Sequence, residues 1–159
     1  VAGELEDLLH PYLRERIEAR RHIPIHATHD ELRSVALAVE ADIERRKESE
    51  LVDRLRDAVG GRRRGVAGLD DTLRALVEKR VDVLLVSAGF VHPGWRCGGC
   101  AYIGRVGRTC PVCQAEMTYV DDVVEEAIEE ALVQSCEVEV CVGNADLDVL
   151  GCLGALLRY

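Results

Sequence analysis

Two pairs of cysteines constrain this chain more than any other feature. Cys97-Gly-Gly-Cys100 is followed, after nine residues, by Cys110-Pro-Val-Cys113. Each Cys-x2-Cys makes a tight turn that aims two thiols at one point. Two such turns complete a sulfur tetrahedron around zinc, with Zn–S distances of about 2.3 Å. Gly98 and Gly99 permit the first turn, and Pro111 stiffens the second. We therefore expect Cys97, Cys100, Cys110 and Cys113 to be metal ligands holding one structural zinc ion per chain. Two disulfides or four free thiols are the alternatives. The pair spacing and the lack of secretory features weigh against disulfides. Four cysteine ligands leave no open coordination position, so a catalytic role for the ion is not expected. Its work would be to fold residues 94–119, a Gly- and Cys-rich insert with little periodicity and no room for a core of its own. Cys136, Cys141 and Cys152 follow no ligand spacing and read as buried free thiols. Seven cysteines, four of them in close pairs, point to metal binding in a reducing, cytoplasmic setting.

The chain has 159 residues, and its 48% hydrophobic content is enough for a packed core. No apolar run is long enough to span a membrane, and no signal peptide is expected. The net charge of -9 makes non-specific nucleic-acid binding unfavourable. The only methionine is Met117 and the chain opens at Val1, so a fragment of a longer protein is expected.

Two units follow from the patterning. In the first, Glu4 to about Arg20 predicts a helix disturbed by Pro11, and the alternation of His22 to Ala27 predicts a short strand. Thr28 and Glu31 form a capping box that opens a long helix ending at Gly60-Gly61. Leu32, Val35, Val39 and Ile43 make one apolar stripe, and Val52, Leu55 and Val59 resume it. The residues between, 44–50, are wholly polar, the pattern of a helix that crosses solvent between domains. The linker Gly60-Gly61-Arg62-Arg63-Arg64-Gly65 marks the boundary.

In the second unit, Asp70 or Asp71 is expected to cap a helix running to Arg80, with Leu73, Leu76 and Val77 inward. Val81 to Ser87 is a buried strand. Asp122 and Glu125 open another helix to about Ser135, its apolar face made by Val124, Ala127, Ile128, Ala131 and Leu132. Glu137 to Val142 alternates as a half-buried strand, Gly143 to Asp148 is a loop, and Leu153 to Tyr159 is a final strand. The element order predicts an α/β layer fold.

Arg96, Arg105 and Arg108 surround the insert and would form a basic knob facing RNA or an acidic partner, or else a solvated surface. Arg62, Arg63 and Arg64 read as an RNA contact or a solvated linker. The acidic face of residues 125–130 would meet a basic protein or only solvent. Trp95 is expected to pack on the cysteine knuckle. The five histidines show no ligand or triad pattern. No nucleophile elbow, P-loop or dinucleotide fingerprint occurs.

Several of these residues carry a resemblance. Gly65-Val66, Asp70-Asp71-Thr72-Leu73-Arg74-Ala75-Leu76 and Val81-Asp82-Val83-Leu84-Leu85-Val86-Ser87 resemble the opening of the C-terminal domain of archaeal and eukaryotic class-1 peptide chain release factors. Gly151-Cys152-Leu153-Gly154-Ala155-Leu156-Leu157-Arg158-Tyr159 resembles its closing strand, with the cysteine pairs between, as in the archaeal factors. The resemblance covers residues 61–159, and residues 1–60 look like the tail of a middle domain and its connecting helix. It implies an α/β/α sandwich like that of kink-turn-binding ribosomal proteins, with an inserted zinc minidomain. It also implies a non-catalytic module of translation termination that binds a translational GTPase at the ribosome. Peptidyl-tRNA hydrolysis in such factors belongs to a Gly-Gly-Gln loop of the middle domain. That tripeptide is absent here, so no catalytic residue is expected. The alternatives are a ribosome rescue or hibernation module of a divergent bacterial relative, or an RNA-binding zinc-ribbon protein contacting ribosomal RNA through Arg96, Arg105 and Arg108.

Overall fold

A computed structural model of the chain describes residues 6–61 and 63–159. Glu4, Leu5 and Arg62 of the readings above lie outside the described residues. Two compact units are present, one up to Lys47 and one of Glu48–Tyr159.

In the first unit the expected helix to Arg20 is broken. Residues 6–8 are helical, and a short α1 (Pro11–Arg14) follows. Pro11 stands at the start of α1, where its missing N–H costs nothing, and His10 caps it by accepting from the Tyr12 N–H (3.3 Å). Residues 22–27 are not a strand. Their alternation has no partner strand to satisfy the backbone, and Pro24 removes one donor. The long helix is present as α2 (His29–Gly60). Its capping box forms as expected. The Thr28 N–H donates to the Glu31 carboxylate (2.7 Å), and the Glu31 N–H donates to Thr28 Oγ1 (3.3 Å). Val35, Val39 and Ile43 are half-buried, and Leu32 is exposed.

The second unit is a sandwich. Its central sheet has the order β1 (Gly65–Ala67), β7 (Leu153–Leu157), β2 (Val81–Ser87), β6 (Glu137–Cys141). Strand β7 is antiparallel to both neighbours, and β2 and β6 are parallel. Both faces of β2 are covered, so its sequence reads as an apolar run rather than an alternation. Leu84 and Val86 face a layer built by α3 (Leu69–Val77) and α4 (Val123–Val133). Val83 and Leu85 face Val52 and Leu55 of α2 and Leu147 of α5 (Ala145–Val149). A bulge at Asp82 shifts the register between Val81 and Val83, which lets Val81 join the Leu84 layer. The α/β/α sandwich is thus the observed architecture, and the last turns of α2 form part of it. Gly154 is required here. A Cβ at this position would lie 2.5 Å from Leu55 Cδ2 and 3.1 Å from the Val66 carbonyl oxygen.

Several local readings change. Helix α3 ends at Val77, with Gly68 at its N-cap position and Asp70 and Asp71 in its first turn. Beyond the end, Lys79 turns left-handed (φ 57°). Helix α4 is capped by Asp122, which accepts from the Val124 N–H (2.9 Å). Val123, rather than Leu132, completes its buried face, since Leu132 sits on the last turn and is exposed. The expected loop of Gly143 to Asp148 instead holds most of α5, started by Asn144 accepting from the Leu147 N–H (3.2 Å).

Candidate metal centre

Between β2 and α4 the chain makes a small antiparallel sheet of its own, in the order β4 (Ile103–Gly104), β3 (Gly94–Cys97), β5 (Met117–Val120). The cysteine pairs sit at its end, and the two turns that carry them are copies of one another. The Cys97 N–H donates to the Tyr102 carbonyl (2.8 Å), and the Ala101 N–H donates back to the Cys97 carbonyl (3.1 Å). The Cys110 N–H donates to the Ala115 carbonyl (2.8 Å), and the Gln114 N–H donates back to the Cys110 carbonyl (3.0 Å). The left-handed residue of each turn is the one after the pair, Ala101 (φ 57°) and Gln114 (φ 63°). Gly98 and Gly99, between the first two cysteines, are not left-handed. Gly99 instead lies close in, its Cβ position 3.6 Å from Cys113 Sγ.

The four sulfurs lie within 4.8 Å of one another. The Cys97–Cys113 pair is 3.4 Å apart and the Cys100–Cys110 pair 3.5 Å, and no disulfide is formed. A tetrahedral site with bonds of about 2.3 Å wants sulfurs about 3.8 Å apart, so the donor set fits a zinc-sized ion.

The thiols titrate unevenly. The Gly99 N–H donates to Cys97 Sγ (3.4 Å) and leads in pulling that thiol down to about 6. At Cys110 burial opposes ionisation, but the N–H groups of Cys113 and Val112 outweigh it and its pKa falls. At Cys100 the Tyr102 N–H favours the thiolate, yet burial and shared protons with Cys110, Cys113 and Cys97 hold the thiol up, at about 12. Cys113 is also raised, despite the Ala115 N–H, chiefly by sharing a proton with Cys97. A bound dication would stabilise all four thiolates and cross-link the two turns.

Side chains then fasten the minidomain to the sandwich. Arg96 forms an ion pair with Glu126 and reaches Glu129 (3.5 Å), both on α4. Arg105 pairs with Asp70 of α3 (2.9 Å). Two of the three arginines expected to form an outward basic knob are therefore engaged at home, and Arg108 stays exposed. Trp95 packs on the knuckle, as expected, and meets Tyr119 edge-on with centroids 5.6 Å apart. The sequence reading missed these acidic partners, because they lie on elements far away in sequence. Of the three remaining cysteines, Cys136 and Cys141 are buried as expected, whereas Cys152 is only half-buried. Burial raises the pKa of Cys136 and Cys152 and pushes Cys141 to about 11.

No protein-family model and no curated protein matches the sequence. Solved structures do match. The chain is similar to the C-terminal domain of a peptide chain release factor from Methanosarcina mazei, at 21% identity and a TM-score of 0.55, over 84% of this chain and 97% of that one. It is also similar to Pelota from Archaeoglobus fulgidus, at 16% identity and a TM-score of 0.57, over 100% of this chain and 46% of that one. It thus spans nearly the whole release-factor domain and less than half of Pelota. The fold expected from the opening and closing motifs is the fold observed: that of a release-factor C-terminal domain.

Proposed function

We propose that this chain is a non-catalytic module of a peptide chain release factor, acting in translation termination by docking a translational GTPase at the ribosome. The observation that carries this reading is the fold likeness to a release-factor C-terminal domain, which extends over 97% of that domain. In this reading residues 1–60 are the tail of a middle domain with its connecting helix, residues 61–159 are the C-terminal domain, and the setting is cytoplasmic. Cys97, Cys100, Cys110 and Cys113 hold a structural zinc that keeps the minidomain in shape. Chemistry on peptidyl-tRNA belongs to a Gly-Gly-Gln loop outside this chain, and Gly60-Gly61 followed by Arg62 is not that loop.

A protein partner is favoured over ribosomal RNA by two features. The net charge is -9, which repels a phosphate backbone. Arg96 and Arg105, the first candidates for RNA contact, are already paired with carboxylates. A second reading changes the branch and keeps the fold: a ribosome rescue or hibernation module. It is supported by the fold likeness to Pelota, which extends over 100% of this chain and 46% of that one.

Equilibrium binding of the zinc-loaded chain to its host's translational GTPases, at low and moderate salt, tests the proposal. Micromolar or tighter binding to one of them is the expected result, and the identity of the binder selects termination or rescue. No binding to any, with steeply salt-dependent RNA binding instead, would contradict it.

A further inference from the structure

We propose a second interaction site, a basic cleft that takes an acidic peptide segment with apolar side chains, at the end of the sheet opposite the minidomain. The minidomain follows the C-terminal end of β2. The cleft lies at the other end, where β1 and β2 begin and β7 finishes. Arg54, Arg63, Arg64 and Arg158 line one space of about 760 Å³. Such a cluster is unexpected on a chain of net charge -9.

Pairing separates these arginines from most others in the second unit. Arg56, two residues on from Arg54 in α2, is occupied by Asp53 and Asp146. Arg74, Arg80, Arg96 and Arg105 each have a carboxylate partner. Arg54, Arg63 and Arg64 have none among the described residues, and all three are exposed. Arg158 approaches a carboxylate only loosely, Asp82 at 4.0 Å, while its Nη2 donates to the Gln134 carbonyl (3.2 Å). Unpaired guanidinium forks facing one concavity offer bidentate hydrogen bonds to carboxylates, and their excess charge favours an anionic occupant.

The backbone that carries them is pinned. The Arg63 N–H donates to the Ala58 carbonyl (2.8 Å), the Leu157 N–H to the Arg64 carbonyl (2.9 Å), and the Arg158 N–H to the Arg80 carbonyl (2.9 Å). The cleft therefore exists before any ligand arrives, which lowers the ordering cost of binding.

Two features favour a peptide over RNA. Leu156 and Leu157 contribute to the cleft wall, and apolar wall suits a side chain better than a phosphate. Asp57 and Asp82 line the same space, with Asp82 aimed by the β2 bulge. A continuous run of phosphates cannot avoid these two carboxylates. A peptide can place its own carboxylates beside the arginines and leave the positions opposite the aspartates neutral.

The inference does not rest on the GTPase reading, and its test needs no GTPase. The probe is a fluorescein-labelled peptide of alternating glutamate and leucine, followed by anisotropy against the full chain. Controls are the same peptide with glutamine for glutamate, and an oligouridylate. The glutamate peptide should bind, and the glutamine peptide should not. Arg63→Ala with Arg64→Ala should weaken binding on the order of tenfold or more, as expected for charge-assisted contacts, with unchanged circular dichroism. Should that variant misfold, Asp57→Asn decides: removing a repelling carboxylate tightens peptide binding, a gain that misfolding cannot imitate. Absence of binding by the glutamate peptide, affinity indifferent to both variants, or arginine-dependent preference for oligouridylate would overturn the proposal.

Discussion

Leu84 and Met117 are both buried, but in different company. Leu84 lies in a continuous apolar layer drawn from β2, β7, α3 and α4. Met117 is surrounded by Cys97 and Cys110, with Trp95, Tyr102 and Ala115 only partly covered. The first region buries enough surface to be held by the hydrophobic effect. The second does not, and two of its turns also carry non-glycine residues in left-handed geometry, Ala101 and Gln114. Ile103 of β4 and Val120 of β5 anchor the minidomain in the sandwich core, but the end that carries the cysteines has no such layer. On the zinc proposal the cysteine cluster orders that end, with Arg96 and Arg105 adding ion pairs to α4 and α3.

Breaking one region should spare the other, and the largest effect is expected at the ligands. Zinc binding in small peptides is worth roughly 10–16 kcal/mol, so Cys110→Ser should unfold residues 94–120 while the sandwich keeps its cooperative thermal transition. Two-dimensional NMR reads this directly, as collapse of minidomain resonances beside unchanged sandwich ones. Acid should act in the same sense. Metal ligation needs thiolates, so affinity falls as pH falls and protons return to the sulfurs. Zinc release followed by a chromogenic chelator should accordingly begin at lower chelator concentration in more acidic buffer.

The converse break lies in the sandwich. Leu55→Ala removes a fully buried side chain beside Gly154 and should cost about 2–5 kcal/mol, measured by denaturant unfolding. The thiolate-to-metal absorption of a cobalt-substituted sample should be unchanged at temperatures where the variant remains folded. Loss of that signature in the folded variant would mean that the two regions are not independently ordered.

A smaller effect sharpens the comparison. Ala101→Gly and Gln114→Gly relieve left-handed strain of about 1 kcal/mol each. They should slow zinc loss to a chelator and leave the sandwich's melting temperature nearly unchanged. Smaller still is the effect expected at the start of α2. Thr28→Ala should cost about 1 kcal/mol of local helix stability, read as faster amide exchange over the first turn. The Thr28 N–H holds the Glu31 carboxyl below its ordinary value of 4.5. That contribution is present above the ordinary value and lost as pH falls through the lowered one, so the wild type should fray there in acid as the variant does at neutral pH.

Legibility followed the range of the interaction. Strand β2, the Thr28–Glu31 and Asp122 caps and the cysteine cluster were readable because each signal is complete within a few residues. Strands β1 and β3 to β5 were not read, since pieces of two to four residues exist only through pairing with distant partners. Residues 22–27 show the reverse error: alternation was present, but no neighbouring strand was. The stripe over α4 is one residue too wide at its end, since Ala131 is buried and Leu132 beside it is exposed; periodicity does not fix the edge of the covered face. At the candidate metal centre the four cysteines that gather are plain in the sequence. The left-handed positions are not, because Ala101 and Gln114 lack the glycine that usually advertises them. The carboxylates that occupy Arg96 and Arg105 were invisible for the same reason as the short strands.

The most direct test of the account is metal content together with amide hydrogen exchange, before and after chelation. The account predicts one zinc per chain. It also predicts strong protection in both regions when metal is bound, and loss of protection confined to residues 94–120 when it is removed. A metal-free sample with a fully protected minidomain, or a sandwich that unfolds with the metal, would contradict it.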